Sequence, residues 1–189
     1  MKIILASRSP RRRRLLRDLG LNFKVIPSNV DESKINEDSP TDHVRKLAML
    51  KAASVAKGMR EHVLVIGADT VVSIDSEILG KPRGKKHARE MLQKLSGREH
   101  RVYTGICIIN TETENVYADV QKTKVRFREL TQKEINMNVS NDDVTDWAGA
   151  YKIQDQPWLV QSMEGSLTNV IGLPTEKFIP LLKENGVDI

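Results

Sequence analysis

Aromatic side chains are scarce. Phe, Tyr and Trp make up 4% of the 189 residues, and Trp147 and Trp158 are the only tryptophans. The chain therefore lacks the stacking platforms on which single-strand nucleic-acid binders depend. Cysteine occurs once, as Cys107 inside the apolar run Gly105-Ile106-Cys107-Ile108-Ile109. That excludes a disulfide framework and points to a reduced, buried thiol packed as a small hydrophobe. No stretch approaches the roughly 18 apolar residues of a membrane helix. The chain opens on Ile3-Ile4-Leu5-Ala6 and only then meets arginines, the reverse of a signal peptide's order. A cytoplasmic location without a membrane partner is the expectation. The histidines, His43, His62, His87 and His100, do not fall at zinc-ligand spacing, and each reads as a surface or satisfied side chain. Neither a Walker A sequence nor G-x-G-x-x-G is present, so any phosphate handling is neither kinase-like nor dinucleotide-binding by motif.

What is present suits one ordinary domain spanning residues 1–189. With 39% hydrophobic and 29% charged residues, a chain of this length buries about 70% of its unfolded surface. The net charge of +5 permits an anionic partner without identifying it. The pattern opens as a βαβ-like unit: a strand over 2–6, a loop Ser7-Arg8-Ser9-Pro10, a helix over 11–19 closed by Gly20, and a strand over 23–26. Ser9 suits the N-cap and Pro10 the first helical position, with Leu15, Leu16 and Leu19 facing inward. Ser39-Pro40 starts a second helix to residue 57, whose apolar stripe is Val44, Leu47, Ala48, Ala52 and Val55; Lys51 falls on that stripe. The β-branched run 63–74 reads as one buried strand or a pair. A third helix over 85–95 precedes a long hairpin, 101–109 and 116–130. Thr131 and Glu134 form a capping box. Beyond a polar patch at Asn141 to Asp143, a second hairpin is predicted from 158–163 and 167–171, then a final helix over 175–185 containing Pro180 and capped by Gly186. No repeat or linker interrupts the series, so the fold class is mixed α/β (α+β).

Three groups of residues carry chemistry. In Ser7-Arg8-Ser9-Pro10-Arg11-Arg12 a loop leaves a strand end and enters a helix, offering amides, hydroxyls and forked guanidinium donors to a phosphate. A solvated basic first turn is the bland alternative. Arginines oppose the helix dipole there, however, so four in a row call for an anion. Phosphate binding is assigned to Arg11 and Arg12, with Arg13 and Arg14 left to water. The second group is Asp69 in Ile66-Gly67-Ala68-Asp69-Thr70, a carboxylate inside an apolar strand that needs a cation or hydrogen-bond donors as partner, unless it only caps a turn. Gly67, on the same strand face, is expected to leave room beside it. The third is a pair of lysines, Lys51 and the Lys81 of Leu79-Gly80-Lys81-Pro82. Each alone could snorkel to water. Together with Arg11, Arg12, Asp69 and Glu32 they compose a divalent-metal triphosphate site, the carboxylates holding Mg²⁺ or Mn²⁺ and the cations neutralising phosphate oxygens. The alternating stripe Lys122, Lys124, Arg126 and Arg128 reads as a solvated strand face, with a nucleic-acid groove as the rival.

These residues resemble the Maf family of nucleotide pyrophosphatases. The matching stretches run almost end to end: Leu5-Ala6-Ser7 through Arg12, Asp31-Glu32, Gly67-Ala68-Asp69-Thr70, Leu79-Gly80-Lys81-Pro82, Leu95-Ser96-Gly97, Ala148-Gly149-Ala150-Tyr151 with Ile153-Gln154, and Val170-Ile171-Gly172-Leu173-Pro174. The resemblance implies an elongated mixed sheet with flanking helices, two lobes around a nucleotide cleft, akin to the inosine triphosphate pyrophosphatase fold, and a homodimer. It places the general base at Asp69 and substrate selection at Arg11, Thr70 and Gln154. Ser-Pro-Arg-Arg with a later Ile153-Gln154 is similar to the branch acting on dTTP, UTP and some modified pyrimidine triphosphates. The branch acting on 7-methyl-GTP has tryptophan where this chain has Arg11. The sequence departs from the family at Trp147, usually Lys, and at Lys152 and Asp155, usually Gly. The expectation is a metal-dependent nucleoside triphosphate diphosphatase. Asp69, Glu32, Lys51 and Lys81 would be its catalytic residues, and Ser7, Ser9, Arg11, Arg12, Thr70 and Gln154 would contact the nucleotide. The rivals are a binding-only regulator of cell division, a role associated with the Maf name, and a nucleic-acid-binding module.

Overall fold

A computed structural model describes residues 1–35, 37, 39–140 and 144–189; the polar patch Asn141 to Asp143 lies outside the described residues. The strands are β1 (Lys2–Leu5), β2 (Phe23–Val25), β3 (Val63–Ile74), β4 (Glu77–Leu79), β5 (Glu99–Asn110), β6 (Val116–Phe127) and β7 (Val160–Glu164). They form one mixed seven-stranded sheet in the order β2-β1-β3-β5-β6-β7, with β4 paired to β3. The helices are α1 (Pro10–Asp18), α2 (Pro40–Ala56), α3 (Lys85–Leu95), α4 (Gln132–Ser140), α5 (Leu167–Ile171) and α6 (Thr175–Glu184). This is the mixed α/β class expected from the sequence. The chain divides into two compact units: residues 1–69, 104–121 and 172–189, and residues 70–103 and 122–171. No helix among the described residues is long and apolar enough to cross a membrane.

In the first unit β1 lies parallel to both β2 and β3, and Leu5 pairs with Val25 on one side and Ile66 on the other. The connection through α1 is thus a βαβ unit, as the Ser9-Pro10 signal predicts. Leu16 is fully buried and Leu15 and Leu19 pack beside it, against Phe178 and Leu182 of α6. Helix α2 buries its whole predicted stripe. It also comes closer to the sheet than side chains allow. A Cβ on Gly67 would lie 2.1 Å from the Ala48 carbonyl oxygen, and one on Gly105 would lie 2.3 Å from that of Val44. The expected space beside Gly67 is therefore filled by α2, and glycine serves to bring the helix in.

In the second unit, Val72, Leu79, Leu92, Leu95, Val125 and Phe127 share one core with Trp147 and Tyr151. The capping box forms: Thr131 N–H donates to Glu134 Oε2 at 2.8 Å and Glu134 N–H to Thr131 Oγ1 at 3.3 Å. The second predicted hairpin is corrected. Strand β7 pairs antiparallel with β6, Lys124 opposite Glu164, and 167–171 is a helical turn. The β-branched residues there lose to a cap and a buried amide: Ser166 Oγ accepts from Asn169 N–H at 3.0 Å, and Asn169 Nδ2 donates to Val102 O and Thr123 Oγ1. Cys107 is fully buried, and burial pushes its thiol up to about 12.

Of the four histidines, His100 is the buried one. It lies 3.0 Å from the Tyr151 hydroxyl and edge-on to Phe127. Burial holds its imidazole down at about 3, against a small opposing pull from the Arg98 backbone. The unfolded chain takes up that proton near 6.5, the folded chain only near 3, so its stabilising contribution is complete above 6.5 and is lost as pH falls through that window. Thermal unfolding should show a loss of up to about 1.4 kcal/mol per pH unit between those values. His100→Gln should flatten it. Parallel loss in both proteins would remove His100 as the source.

Candidate active site

The loop leaving β1 is built around one buried arginine. Ser9 caps α1, its Oγ accepting from Arg12 N–H. Ser7 Oγ accepts from Ser9 N–H at 3.2 Å and from Arg12 Nη1 at 3.1 Å, while Arg12 Nε donates to the Gly172 carbonyl at 2.8 Å. Gly172 has φ of 122°, a backbone that glycine supplies without strain. Burial lowers the Arg12 pKa below its usual value; attraction from Asp69 opposes this, Arg11 adds to it and Glu32 opposes it more weakly. Arg12 is thus a fixed cation facing the carboxylates. Arg11 is half-buried beside it, Arg13 is also half-buried, and Arg14 faces water near Asp18. The reading that leaves both Arg13 and Arg14 to water holds for Arg14 alone.

Asp69 has its partner. Lys51 Nζ lies 2.6 Å from Asp69 Oδ1 and 2.7 Å from Glu32 Oε1. Lys51 and Asp69 are 7% and 6% exposed, whereas the Glu32 side chain is half-exposed at the start of a single 3-10 turn, Glu32–Lys34. Lys51 does not snorkel: α2 is held close at Gly67 and Gly105, so the lysine stem stays under the helix and its ammonium reaches both carboxylates. The group carries one positive and two negative charges. Two carboxylates converging on one ammonium can face one divalent cation. Among the described residues no three His, Cys, Asp or Glu side chains group as a metal site.

In the second unit Thr70 follows Asp69 directly on β3 and is half-buried. Lys81 is exposed after β4, 3.9 Å from Asp146, a separation worth little at such a surface. The backbone N–H of Gly149 donates to the Gly80 carbonyl at 3.1 Å, which joins the Lys81 loop to the segment leading to Gln154. A Cβ on Gly149 would meet Val72 Cγ2 at 2.8 Å, and φ there is 67°. Gln154 is exposed in the turn after Ile153. In the basic stripe Lys124 of β6 pairs with Glu164 at 2.9 Å, Arg126 donates to Gln161, and Arg128, just past the strand, pairs with Glu134 at 2.6 Å.

A family model described as Maf-like protein matches residues 2–185. The chain belongs to the Maf family. It is similar to proteins named dTTP/UTP pyrophosphatase from Thermoanaerobacter pseudethanolicus, 47% identical over 97% of this chain and 96% of the relative, and from Bacillus anthracis, 44% identical over 100% and 97%. Among solved structures, a HAM1 protein from Coxiella burnetii aligns over 97% of this chain and 99% of its own, at 17% identity and a TM-score of 0.49.

Within this Maf chain the structure joins Ser7, Ser9 and Arg12 by hydrogen bonds and Glu32, Lys51 and Asp69 by ion pairs, with Asp69 and Glu32 acting electrostatically on Arg12 and Arg11 adjacent to it on α1. Thr70, Lys81 and Gln154 belong to the other unit. Sequence reasoning missed the Gly172 carbonyl that anchors Arg12, because a backbone acceptor leaves no trace in residue type. It also missed Gln156, which closes the turn carrying Gln154. The signal available for Gln156 was a polar residue two positions beyond Gln154 in a segment of mixed polarity, too weak to single out.

Proposed function

We propose that this chain is a nucleoside triphosphate pyrophosphatase that cleaves dTTP and UTP to the monophosphate and pyrophosphate. The observation that carries the reading is the Lys51-bridged pair of Asp69 and Glu32 beside the buried guanidinium of Arg12; the names of its relatives support it. Asp69 accepts the proton of a water molecule held beside it. The water oxygen bonds to the α-phosphorus, the α–β bridging bond breaks, and pyrophosphate departs. Lys51 orients Asp69 and meets the negative charge that develops. Arg11, Arg12, Lys81 and the Ser7–Ser9 loop bind phosphate oxygens, and Thr70 and Gln154 select the base. A divalent cation, Mg²⁺ or Mn²⁺, held by Asp69 and Glu32 would supply charge neutralisation and a lowered pKa for bound water. The assembly is proposed to be a homodimer without nucleic-acid or membrane partners.

Gln154 offers both a donor and an acceptor to a pyrimidine edge, and a site built to pair those groups rejects an edge that leaves them unmatched. dTTP and UTP should be cleaved with similar efficiency and CTP at least ~10-fold more slowly. A side-by-side rate comparison with product analysis decides it. A nucleoside diphosphate product, intact dTTP, or CTP or 7-methyl-GTP as best substrate would overturn the reading.

A further inference from the structure

The turn that presents Gln154 is closed by three hydrogen bonds. Gln156 N–H and Asp155 N–H both donate to the Lys152 carbonyl, at 2.9 and 3.3 Å. Lys152 N–H donates to Oε1 of Gln156, a side chain 7% exposed, at 3.0 Å. Ile153 is buried in the second unit's core and roots the turn, leaving Gln154 exposed at its apex.

Hydrogen bonds within a five-residue turn fix its shape but not its orientation on the protein. Its orientation is set by the buried Ile153 and by Lys152, whose ammonium lies 4.2 Å from the ring centroid of Trp147 and 3.4 Å from Asp155 Oδ2. Trp147 is 3% exposed and packed in the same core, so its ring is an immobile surface. One ammonium thus ties the residues on both sides of Gln154 to a buried aromatic face.

We infer that the Trp147–Lys152–Asp155 stack is a positioning device that holds the Gln154 turn ready for the base and so sets how sharply this chain discriminates among pyrimidines. The inference rests on the proposed role of Gln154. Its physical basis is preorganisation: a side chain already held in its binding geometry loses less freedom on contact, and that gain appears in discrimination and KM rather than in the chemical step.

The test is the ratio of kcat/KM for dTTP to that for CTP, measured with kcat, KM and thermal midpoint. Lys152→Met keeps the stem over Trp147 and removes the charge. It should raise KM for dTTP and lower the ratio about 5- to 10-fold, with kcat within about 2-fold. Asp155→Asn, at an exposed site, should act in the same direction, and Lys152→Arg should keep the wild-type ratio. If Gln154→Ala lowers the ratio while Lys152→Met and Asp155→Asn leave it unchanged, Gln154 selects the base unaided and the inference alone falls. If Gln154→Ala leaves the ratio unchanged, the base-selection reading falls and the inference with it. Loss of kcat and thermal midpoint together with the ratio would show a merely structural role and overturn the proposal.

Discussion

Asp69→Asn should lower turnover at least ~100-fold, the lower range for removing a general base, while the protein still folds. Asparagine has the shape of aspartate and can still accept from Lys51 through its carbonyl oxygen, and Lys51 keeps Glu32 at 2.7 Å. What is lost is a negative oxygen able to take a proton. The substitution therefore separates chemistry from architecture at a position 6% exposed, where most changes would disturb both. Circular dichroism and a thermal midpoint establish the fold; single-turnover release of dTMP reports the step. A folded variant within about tenfold of the wild-type rate would move the base elsewhere. Glu32, half-exposed and on the same ammonium, is the alternative acceptor.

The legibility of this molecule divides by the kind of interaction involved. Local signals are legible: Ser9-Pro10 and Ser39-Pro40 open helices, Thr131 and Glu134 form their box, and the stripe of α2 is buried. These depend on neighbours in sequence. The 167–171 segment was misread because what decides it is remote: Asn169 finds Val102 and Thr123, partners 67 and 46 residues away. The site was legible in composition and not in wiring. A carboxylate in an apolar strand had to have a cation, and a lysine on an apolar stripe was conspicuous, yet nothing in either pattern said that each was the other's partner 18 residues away. The Gly67 position is legible but its purpose is not, since spacing shows that a side chain is absent but not which backbone takes its place.

That pairing changes what Lys51→Met should do. Read from the sequence, an apolar isostere on the helix stripe would remove a desolvated charge and preserve or raise stability. The structure reverses the sign, because the methionine would leave Asp69 buried without its cation. Breaking one partner out of a buried pair costs about 3–5 kcal/mol, whereas replacing both together is often nearly neutral. For a chain of this size the single substitution should lower the thermal midpoint on the order of 10 °C. Activity should fall as well, since Asp69 would lose the group that orients it. The double variant Lys51→Met/Asp69→Asn distinguishes this from simple disruption of α2. With no carboxylate left uncompensated at 69, it should recover more than half of the lost stability while remaining inactive. Helix damage would instead make the two substitutions additive. A neutral Lys51→Met would mean that Asp69 draws its compensation from Arg12, the other cation that acts on it, and Lys51 would then serve the substrate alone.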